Sequence, residues 1–455
     1  IFLLTAVPTG ERVEVPEPAE PLPDWRRGTL ENAEEVQQFT VLALRRSDGT
    51  TLWKRVLREA LPHEGTHATG SWASASAVTD GEVVIASFGS QGFYALSLDG
   101  ELLWEKDLGD MTTKLAFGEG SSPALGKKRV FVQWDHEGES FLVALDRMTG
   151  QEVWRQARDE KTSWASPLLV EHEGRTQVIT SATTRVRSYD ADAGDVVWET
   201  PGMTQNAIPM PVYEDGLVFL TSGFRGNALL AIKLAEAKGD ISGSPAIAWS
   251  HDRDTPYVPS PLLYGHELYL IKGNKGLLSC FDARTGQQHY GPERLTDVPN
   301  IYASPVGADG RVYVAGREGT TVVIQRGPEF KLLATNVLDD GFDASPVAVG
   351  SGMVNTANAL HDLPVVKDAW AAGSISGLHV YQILAHAPAI DDFTRTQAAI
   401  VGLAKLTDAS EVRRVLQVAA EADNPTHLDL SLDQQRAKRS LRLSARANGM
   451  WAITG

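Results

Sequence analysis

One pentapeptide in the chain has the residue types needed for metal-dependent chemistry. His63-Glu64-Gly65-Thr66-His67 fits the pattern in which two histidines one helical turn apart bind zinc and the glutamate acts as general base. That chemistry requires a helix, whereas Pro62 precedes the motif and Gly65 interrupts it. We therefore predict that His63 and His67 lie in a loop between strands, where they contact a ligand and bind no metal.

A second polar segment combines histidine with carboxylates. In Trp134-Asp135-His136-Glu137-Gly138-Glu139, a histidine held charged by its neighbours would suit acid–base or metal chemistry. The alternative is a solvated hairpin tip, for which such composition is typical. We assign no catalytic residue or metal ligand here and treat Asp135 and His136 as candidate ligand contacts.

Two short aromatic elements and a glycine-rich loop complete the candidate site residues. Ser71-Trp72-Ala73-Ser74 and Ser163-Trp164-Ala165-Ser166 share one pattern, so Trp72 and Trp164 are predicted to contact a ligand or to pack between repeats. Backbone N–H groups of residues 118–122 could hold an anion, but that loop lacks the lysine and the following helix of known phosphate-binding loops.

Composition excludes several classes of protein. The 455 residues include 58 acidic and 42 basic side chains, and the formal net charge of −16 argues against a nucleic-acid-binding surface. A single cysteine, Cys280, excludes an intramolecular disulfide and a cysteine-based zinc site. No apolar run approaches the ~20 residues that span a bilayer. We expect a monomer with no membrane span.

A repeat must position these residues. A Ser-Pro pair or its equivalent recurs at intervals of 41 to 50 residues and is followed by a turn and an alternating strand. Its copies start at Ser76, Ser122, Ser166, Met210, Ser260, Ser304 and Ser345. Asp-Gly turns between apolar runs, as at Asp215-Gly216 and Asp309-Gly310, indicate hairpins.

A tryptophan closes most of these repeats. The series comprises Trp53, Trp104, Trp154, Trp198 and Trp249. Each repeat has four strand-length segments and cannot bury both faces of its sheet alone, so sheets packed radially would bury one another, with the tryptophans docked between them. The pattern predicts a mainly β fold: a β-propeller of seven or eight four-stranded antiparallel blades over residues 1–350.

The number of blades depends on how the propeller closes. Residues 1–57 supply three strands of a first blade, interrupted by a Glu- and Pro-rich loop insertion at 11–36. That blade lacks its leading strand, whereas residues 345–349 form a leading strand with nothing after it. Seven blades result if this last strand pairs into the first blade.

The repeat unit resembles a known family. Ala144-Leu145-Asp146-Arg147-Met148-Thr149-Gly150-Gln151-Glu152-Val153-Trp154 is similar to the pyrroloquinoline-quinone-like (PQQ-like) propeller repeat with its tryptophan docking motif. Families that share this repeat include quinoprotein alcohol dehydrogenases and the BamB lipoprotein of outer-membrane protein assembly. The resemblance implies a periplasmic or secreted protein; a cytoplasmic one is the alternative.

The same resemblance implies a test for bound quinone. Quinoprotein dehydrogenases have an adjacent cysteine pair near the cofactor and a calcium site, whereas Cys280 has no cysteine neighbour and is predicted to be a core residue. We expect no cofactor, and PQQ is disfavoured. The predicted function is a non-enzymatic scaffold that binds a protein or small molecule at its loops; the alternative is a quinoprotein oxidoreductase.

Residues 351–455 differ from the rest. They hold ten basic and ten acidic residues and show helical spacing, with Leu363, Val366, Ala369 and Trp370 on one face. The segment resembles the helical domain of unknown function that precedes HNH endonuclease domains, through Leu363-Pro364, residues 370–376 and residues 436–444. A fusion of two families is thus predicted. DNA association through Arg436, Lys438, Arg439, Arg442 and Arg446 is a further alternative, although a solvated charged face is favoured.

Overall fold

The computed structural model divides into two compact units, Ile1–Gly350 and Ser351–Gly455. In the first unit it describes residues 1–14, 30–343 and 345. In the second it describes residues 363–371, 374–375, 379–380, 383, 387, 390, 393–407, 411–412, 414–416, 418–419, 442–445 and 451–454.

The first unit is built from strands. They are β1 (Phe2–Arg12), β2 (Leu30–Glu31), β3 (Glu35–Leu44), β4 (Thr51–Ala60), β5 (Thr66–His67), β6 (Val78–Thr79), β7 (Val83–Ser87), β8 (Phe93–Ser97), β9 (Leu102–Lys106), β10 (Ala124–Leu125), β11 (Arg129–Trp134), β12 (Ser140–Asp146), β13 (Glu152–Arg158), β14 (Leu168–His172), β15 (Arg175–Thr180), β16 (Arg185–Asp190), β17 (Val196–Pro201), β18 (Val212–Glu214), β19 (Leu217–Ser222), β20 (Ala228–Lys233), β21 (Gly239–Asp240), β22 (Ile247–His251), β23 (Leu262–Tyr264), β24 (Glu267–Ile271), β25 (Leu277–Asp282), β26 (Gln288–Arg294), β27 (Val306–Ala308), β28 (Arg311–Ala315), β29 (Thr320–Gln325) and β30 (Leu332–Val337).

These strands form successive antiparallel blades. The orders are β1-β3-β4, β6-β7-β8-β9, β10-β11-β12-β13, β14-β15-β16-β17-β21, β18-β19-β20-β22, β23-β24-β25-β26 and β27-β28-β29-β30. The short β21 is an extra strand that pairs in parallel with β17, and the short β2 and β5 pair separately. The predicted mainly β fold of four-stranded blades is confirmed, as are the three strands expected for the first blade. Of the predicted closing strand 345–349, only Ser345 lies among the described residues.

Neighbouring blades bury one another because their inner strands are apolar on both faces. Val83 and Ile85 of β7, for example, belong to one buried cluster with Val130 and Val132 of β11. A blade exposes one apolar face on each side, so burial between blades supplies the hydrophobic stabilisation that no single blade can provide.

The Ser-Pro repeat has a specific structural role. The backbone N–H of Ser76 donates to the Ser122 hydroxyl at 2.9 Å, and the N–H of Ser122 donates to the Ser166 hydroxyl at the same distance. The N–H groups of Met210, Ser260 and Ser304 likewise donate to the hydroxyls of Ser260, Ser304 and Ser345. Five serine hydroxyls therefore link the start of one repeat to the start of the next, and Met210 interrupts the series because it has no hydroxyl.

Removing one of these hydroxyls should weaken the fold measurably. Ser260→Ala leaves the part-buried N–H of Met210 without its acceptor, so we expect the free energy of unfolding to fall by about 1 kcal/mol. Denaturant unfolding of Ser260→Ala and of Ser47→Ala, an exposed hairpin serine, gives the comparison. Equal stability of the two variants would contradict the linking role.

The tryptophans contact the next blade through a second repeated arrangement. The indole N–H groups of Trp53, Trp104, Trp154 and Trp249 donate to the carbonyls of Leu98, Arg147, Ala191 and Ala283, respectively, at 2.8–3.2 Å. Each ring lies against a hairpin glycine; a Cβ on Gly150 would sit 2.7 Å from the Trp104 ring. This position therefore requires glycine for close approach as well as for its positive φ of 68°.

Trp198 has a different hydrogen-bond partner although its spacing matches the series. Its indole N–H donates to Oε1 of Gln177 at 3.1 Å, within its own blade. The following blade has a 3₁₀ turn at Leu234–Glu236 instead of a Thr-Gly hairpin, and β21 from the same region pairs with β17. Trp198 thus lacks the hairpin carbonyl that the other four use. Its docking role stays a prediction.

The second unit has helical and β elements. Helix α1 spans Pro364–Ala371 and α2 spans Phe393–Ala404, while β31 (Arg442–Ala445) pairs with β32 (Trp451–Thr454). Leu363, Val366 and Ala369 of the predicted apolar face are buried; the side chain of Trp370 lies outside the described residues. The predicted mostly helical character of this segment is confirmed. Residues 436, 438–439 and 446, named above for DNA association, also lie outside the described residues.

Candidate functional site

A pocket opens where the connections that follow each of the first three blades converge. It is lined by residues from segments 62–65, 72–75, 87–93, 111–121, 132–135 and 162–164, and it encloses about 730 Å³, including space open to solvent. Four of the six predicted ligand contacts line it: His63, Trp72, Asp135 and Trp164. The loops that the repeat places at the blade ends therefore bring most of the predicted residues together.

The His-Glu-x-x-His pattern is not helical. Segment 63–67 is irregular until Thr66 enters the short strand β5. Nε2 of His63 is 2.6 Å from the Met111 carbonyl, and both carboxylate oxygens of Glu64 accept the Thr113 N–H at 3.2 Å. These side chains are thus held by hydrogen bonds to the 111–113 segment, and the predicted loop position of the motif agrees with this geometry.

His67 and His136 do not line the pocket. Nδ1 of His67 lies 2.8 Å from the Thr69 hydroxyl, and burial lowers the pKa of His67. Nδ1 of the buried His136 accepts the Thr112 N–H at 3.0 Å, which leaves Nε2, 3.1 Å from the Glu139 carbonyl, to carry the proton. Both rings therefore stabilise loop structure.

Asp135 belongs to a fully buried ion pair. Arg158 donates to its two carboxylate oxygens at 2.7 and 3.0 Å, and neither side chain of the pair is accessible to solvent. Arg158 also donates to the hydroxyls of Thr180 and Tyr189, both at 2.8 Å. The negative charge of Asp135 is therefore neutralised by a guanidinium that donates four hydrogen bonds.

Glu119 is a pocket residue that the sequence did not single out. Its carboxylate accepts the Ser90 N–H at 2.9 Å and the Ser90 hydroxyl at 2.5 Å. It also lies directly over Gly89, where any Cβ would overlap the carboxylate. The loop considered for anion binding thus presents an acidic group instead. Burial raises the pKa of Glu119 to about 7 and also raises the pKa of Glu64.

The two tryptophans are fixed by their indole nitrogens. Trp72 donates to the Glu64 carbonyl at 3.0 Å, and Trp164 donates to the Gly118 carbonyl at 2.8 Å. Gln91 and Gln133, which the sequence also did not single out, line the same pocket. The site thus combines aromatic rings, carboxylates and amide groups.

Comparison with known proteins decides the family. The profile of the family described as outer membrane protein assembly factor BamB matches residues 12–132, 37–159 and 138–354. The chain belongs to the BamB family. The matches together span the blades of the BamB-like propeller, whose PQQ-like repeat is thereby confirmed. No curated protein matches the sequence.

Two solved structures share the fold. BamB from Moraxella catarrhalis is 14% identical, with a TM-score of 0.51, over 76% of this chain and 95% of that one. A europium-containing methanol dehydrogenase is 10% identical, with a TM-score of 0.50, over 76% of this chain and 82% of that one. At such identities these likenesses show the fold alone.

Across the described ranges, no three His, Cys, Asp or Glu side chains converge as metal ligands. None of the helices that the structure describes has the length and apolar character needed to cross a bilayer.

The raised pKa of Glu119 predicts a specific pH dependence for the BamB-like propeller. Because the folded-state pKa of about 7 exceeds the ordinary 4.5, the protonated carboxyl favours the folded state. This stabilisation is complete below pH 4.5 and is lost as the pH rises to about 7, so the free energy of unfolding should fall by up to about 3 kcal/mol. Glu119→Gln should lack this loss.

Unfolding free energies from pH 4 to 8 test the prediction. The difference between wild type and Glu119→Gln should grow across this window, whereas Glu171→Gln, at an exposed carboxylate, should parallel the wild type. Parallel profiles for all three proteins would contradict the assignment.

Proposed function

We propose that the first unit is a non-enzymatic, extracytoplasmic scaffold that binds a protein through the pocket and the loops around it. Support comes from the family, described as an outer membrane protein assembly factor, and from the pocket formed by blade connections. Binding sites in β-propellers are built on such loops because the blades hold them rigidly.

The observation that carries this proposal is the set of hydrogen-bond partners of the ionisable side chains in the pocket. The Glu64 carboxylate is held by Thr113, that of Glu119 by Ser90 and that of Asp135 by Arg158. Nε2 of His63 contacts a backbone carbonyl. The hydroxyls of Ser90 and Thr113 contact carboxylates, but each also accepts a backbone N–H, from Met111 and Gly118, and so is held within the loop structure. The arrangement suits recognition.

The quinone that quinoprotein members bind does not fit this pocket. PQQ is a polycarboxylate, yet the described pocket lining includes Glu64, Glu119 and Asp135 and has no lysine or arginine. Cys280 is buried in β25, and burial raises the pKa of its thiol to about 12. A single buried thiol cannot supply the adjacent cysteine pair of those enzymes. We therefore favour the scaffold over the oxidoreductase.

Deletion of the gene in its own organism tests the scaffold role. We expect the steady-state levels of outer-membrane proteins to fall and to return when the full chain is supplied on a plasmid. Fractionation of the same cells should recover the chain outside the cytoplasm. Unchanged outer-membrane proteins, or a cytoplasmic chain, would contradict the proposal.

We also propose that residues 351–455 are a separate domain related to the helical domain that precedes HNH endonucleases. Its buried residues Val366, Phe393, Val401 and Leu416 form their own cluster, and its charges balance. A balanced charge favours a solvated face over DNA binding; salt-dependent gel shifts of the full chain would overturn that preference.

Limited proteolysis tests the boundary between the two proposed domains. Gly350-Ser351-Gly352 joins them, so brief protease treatment should release a stable fragment of residues 1–350 and degrade the rest faster. Mass spectrometry identifies the cleavage site. Uniform protection of the whole chain would show one integrated fold.

A further inference from the structure

We propose that the pocket binds one alkylammonium group, supplied by a lysine side chain of the partner protein. The proposal rests on the scaffold function above and adds the chemistry of recognition. It requires three properties of the pocket: uncompensated negative charge, free hydrogen-bond acceptors and aromatic walls.

The charge of the lining is negative. Arg158 neutralises Asp135, but within the described part of the chain the carboxylates of Glu64 and Glu119 accept hydrogen bonds only from uncharged groups, on Thr113 and Ser90. In the described lining, the only basic side chain is His63, whose Nε2 contacts the Met111 carbonyl. Burial raises the pKa of both carboxyls, and a cation entering the pocket would favour their ionised forms and offset the hydration that they lose.

Two buried amide side chains that line the same pocket have unfilled acceptors. Gln91 is 6% exposed and Gln133 is 1% exposed, and Oε1 of each has no hydrogen-bond partner among the described residues. The orientation of Gln133 is set because its Nε2 donates to Asp135 at 2.7 Å and to the Ser181 carbonyl at 3.2 Å. Buried acceptors are costly when unsatisfied, so a ligand with several N–H donors is favoured.

The aromatic walls favour the same ligand. Trp72 and Trp164 line the pocket and are fixed through their indole N–H groups, so both rings are already positioned before binding. Tryptophan attracts cations more strongly than other aromatic residues do. An ammonium has three N–H donors and no acceptor, which matches carboxylates, amide oxygens and rings together. An anion matches none of them.

Titration of the full chain with n-butylammonium chloride tests this chemistry. In protein labelled with ¹⁵N-tryptophan, the indole signals of Trp72 and Trp164, assigned with Trp→Phe variants, should shift saturably while that of Trp104 stays fixed. Sodium chloride at equal ionic strength should produce no such shift. Absence of saturation, or the same shift with sodium chloride, would overturn the proposal.

Variants and peptides identify the groups and the source of the ammonium. Glu64→Gln/Glu119→Gln should weaken binding by about tenfold or more, whereas the control Glu171→Gln should not. Acetyl-Gly-Lys-Gly-amide should bind at least as tightly as n-butylammonium, and acetyl-Gly-Gln-Gly-amide should not bind. Tighter binding of the free amine than of the lysine peptide would overturn the assignment to a protein lysine.

The gene-deletion experiment separates this inference from the scaffold function. If the double variant fails to restore outer-membrane proteins but Glu171→Gln restores them, both are supported. Full restoration by the double variant would overturn the ammonium site and leave the scaffold role standing. Deletion without effect would overturn the scaffold role itself.

Discussion

Trp104→Ala should lower the free energy of unfolding by about 3–5 kcal/mol, as large deletions in protein cores do. Trp104 is 7% exposed, lies against Gly150 of the next blade and donates its indole N–H to the Arg147 carbonyl at 2.8 Å. The substitution leaves a cavity between two blades. Because each blade also packs against another neighbour, the two blades cannot approach each other to fill the cavity without disturbing those contacts. Denaturant unfolding measures the loss.

Two further variants sharpen this test of tryptophan docking. Trp104→Phe keeps an aromatic ring but loses the hydrogen bond, so its stability should lie between those of wild type and Trp104→Ala. Leu103→Ala removes a side chain that is 44% exposed on the same strand, and its effect should stay within about 0.5 kcal/mol. Wild-type stability of Trp104→Ala would refute docking.

Arg158→Met should lower the free energy of unfolding by a similar amount, about 3–5 kcal/mol, for an electrostatic reason. The substitution leaves Asp135 fully buried without the guanidinium that donates to both of its oxygens. The hydroxyls of Thr180 and Tyr189 lose a donor as well. Thermal and denaturant unfolding should both report the loss.

The double variant Arg158→Met/Asp135→Leu distinguishes a broken ion pair from a packing defect. Removing both charges eliminates the unpaired buried carboxylate, so much of the stability should return. Arg158→Lys should recover only part, because an ammonium cannot reproduce the two-point contact of a guanidinium. If the double variant is no more stable than Arg158→Met, packing accounts for the effect.

The blades were predictable from sequence because their signals are local and repeated. Alternating apolar residues, Asp-Gly turns and the spacing of Ser122, Ser260 and Trp104 each report a feature that recurs in several repeats. The hydrogen bonds to the serine hydroxyls explain why that residue recurs. Trp198 shows that spacing alone does not determine the hydrogen-bond partner. The following blade has a 3₁₀ turn in place of the hairpin whose carbonyl the other four tryptophans use, and the Trp198 indole N–H donates to Gln177 instead.

The pocket was predictable only in part because its chemistry comes from loops that differ between repeats. His63, Trp72, Asp135 and Trp164 stood out by motif or by pairwise similarity. Glu119 reaches Ser90 only because the chain between them returns through Leu115 and Ala116, which have positive φ values of 58° and 55°. No periodic pattern encodes such a path, and nothing local marks Gln91 or Gln133 as lacking partners.

Reconstitution with PQQ and Ca²⁺ tests most directly whether the propeller is a scaffold or an oxidoreductase. After incubation and gel filtration, quinone absorbance in the protein fraction reports binding, and dye-coupled oxidation of alcohols reports turnover. Because the pocket lining has three carboxylates and no lysine or arginine, we expect no stoichiometric quinone and no turnover. One quinone retained per chain, with alcohol oxidation, would contradict the scaffold function.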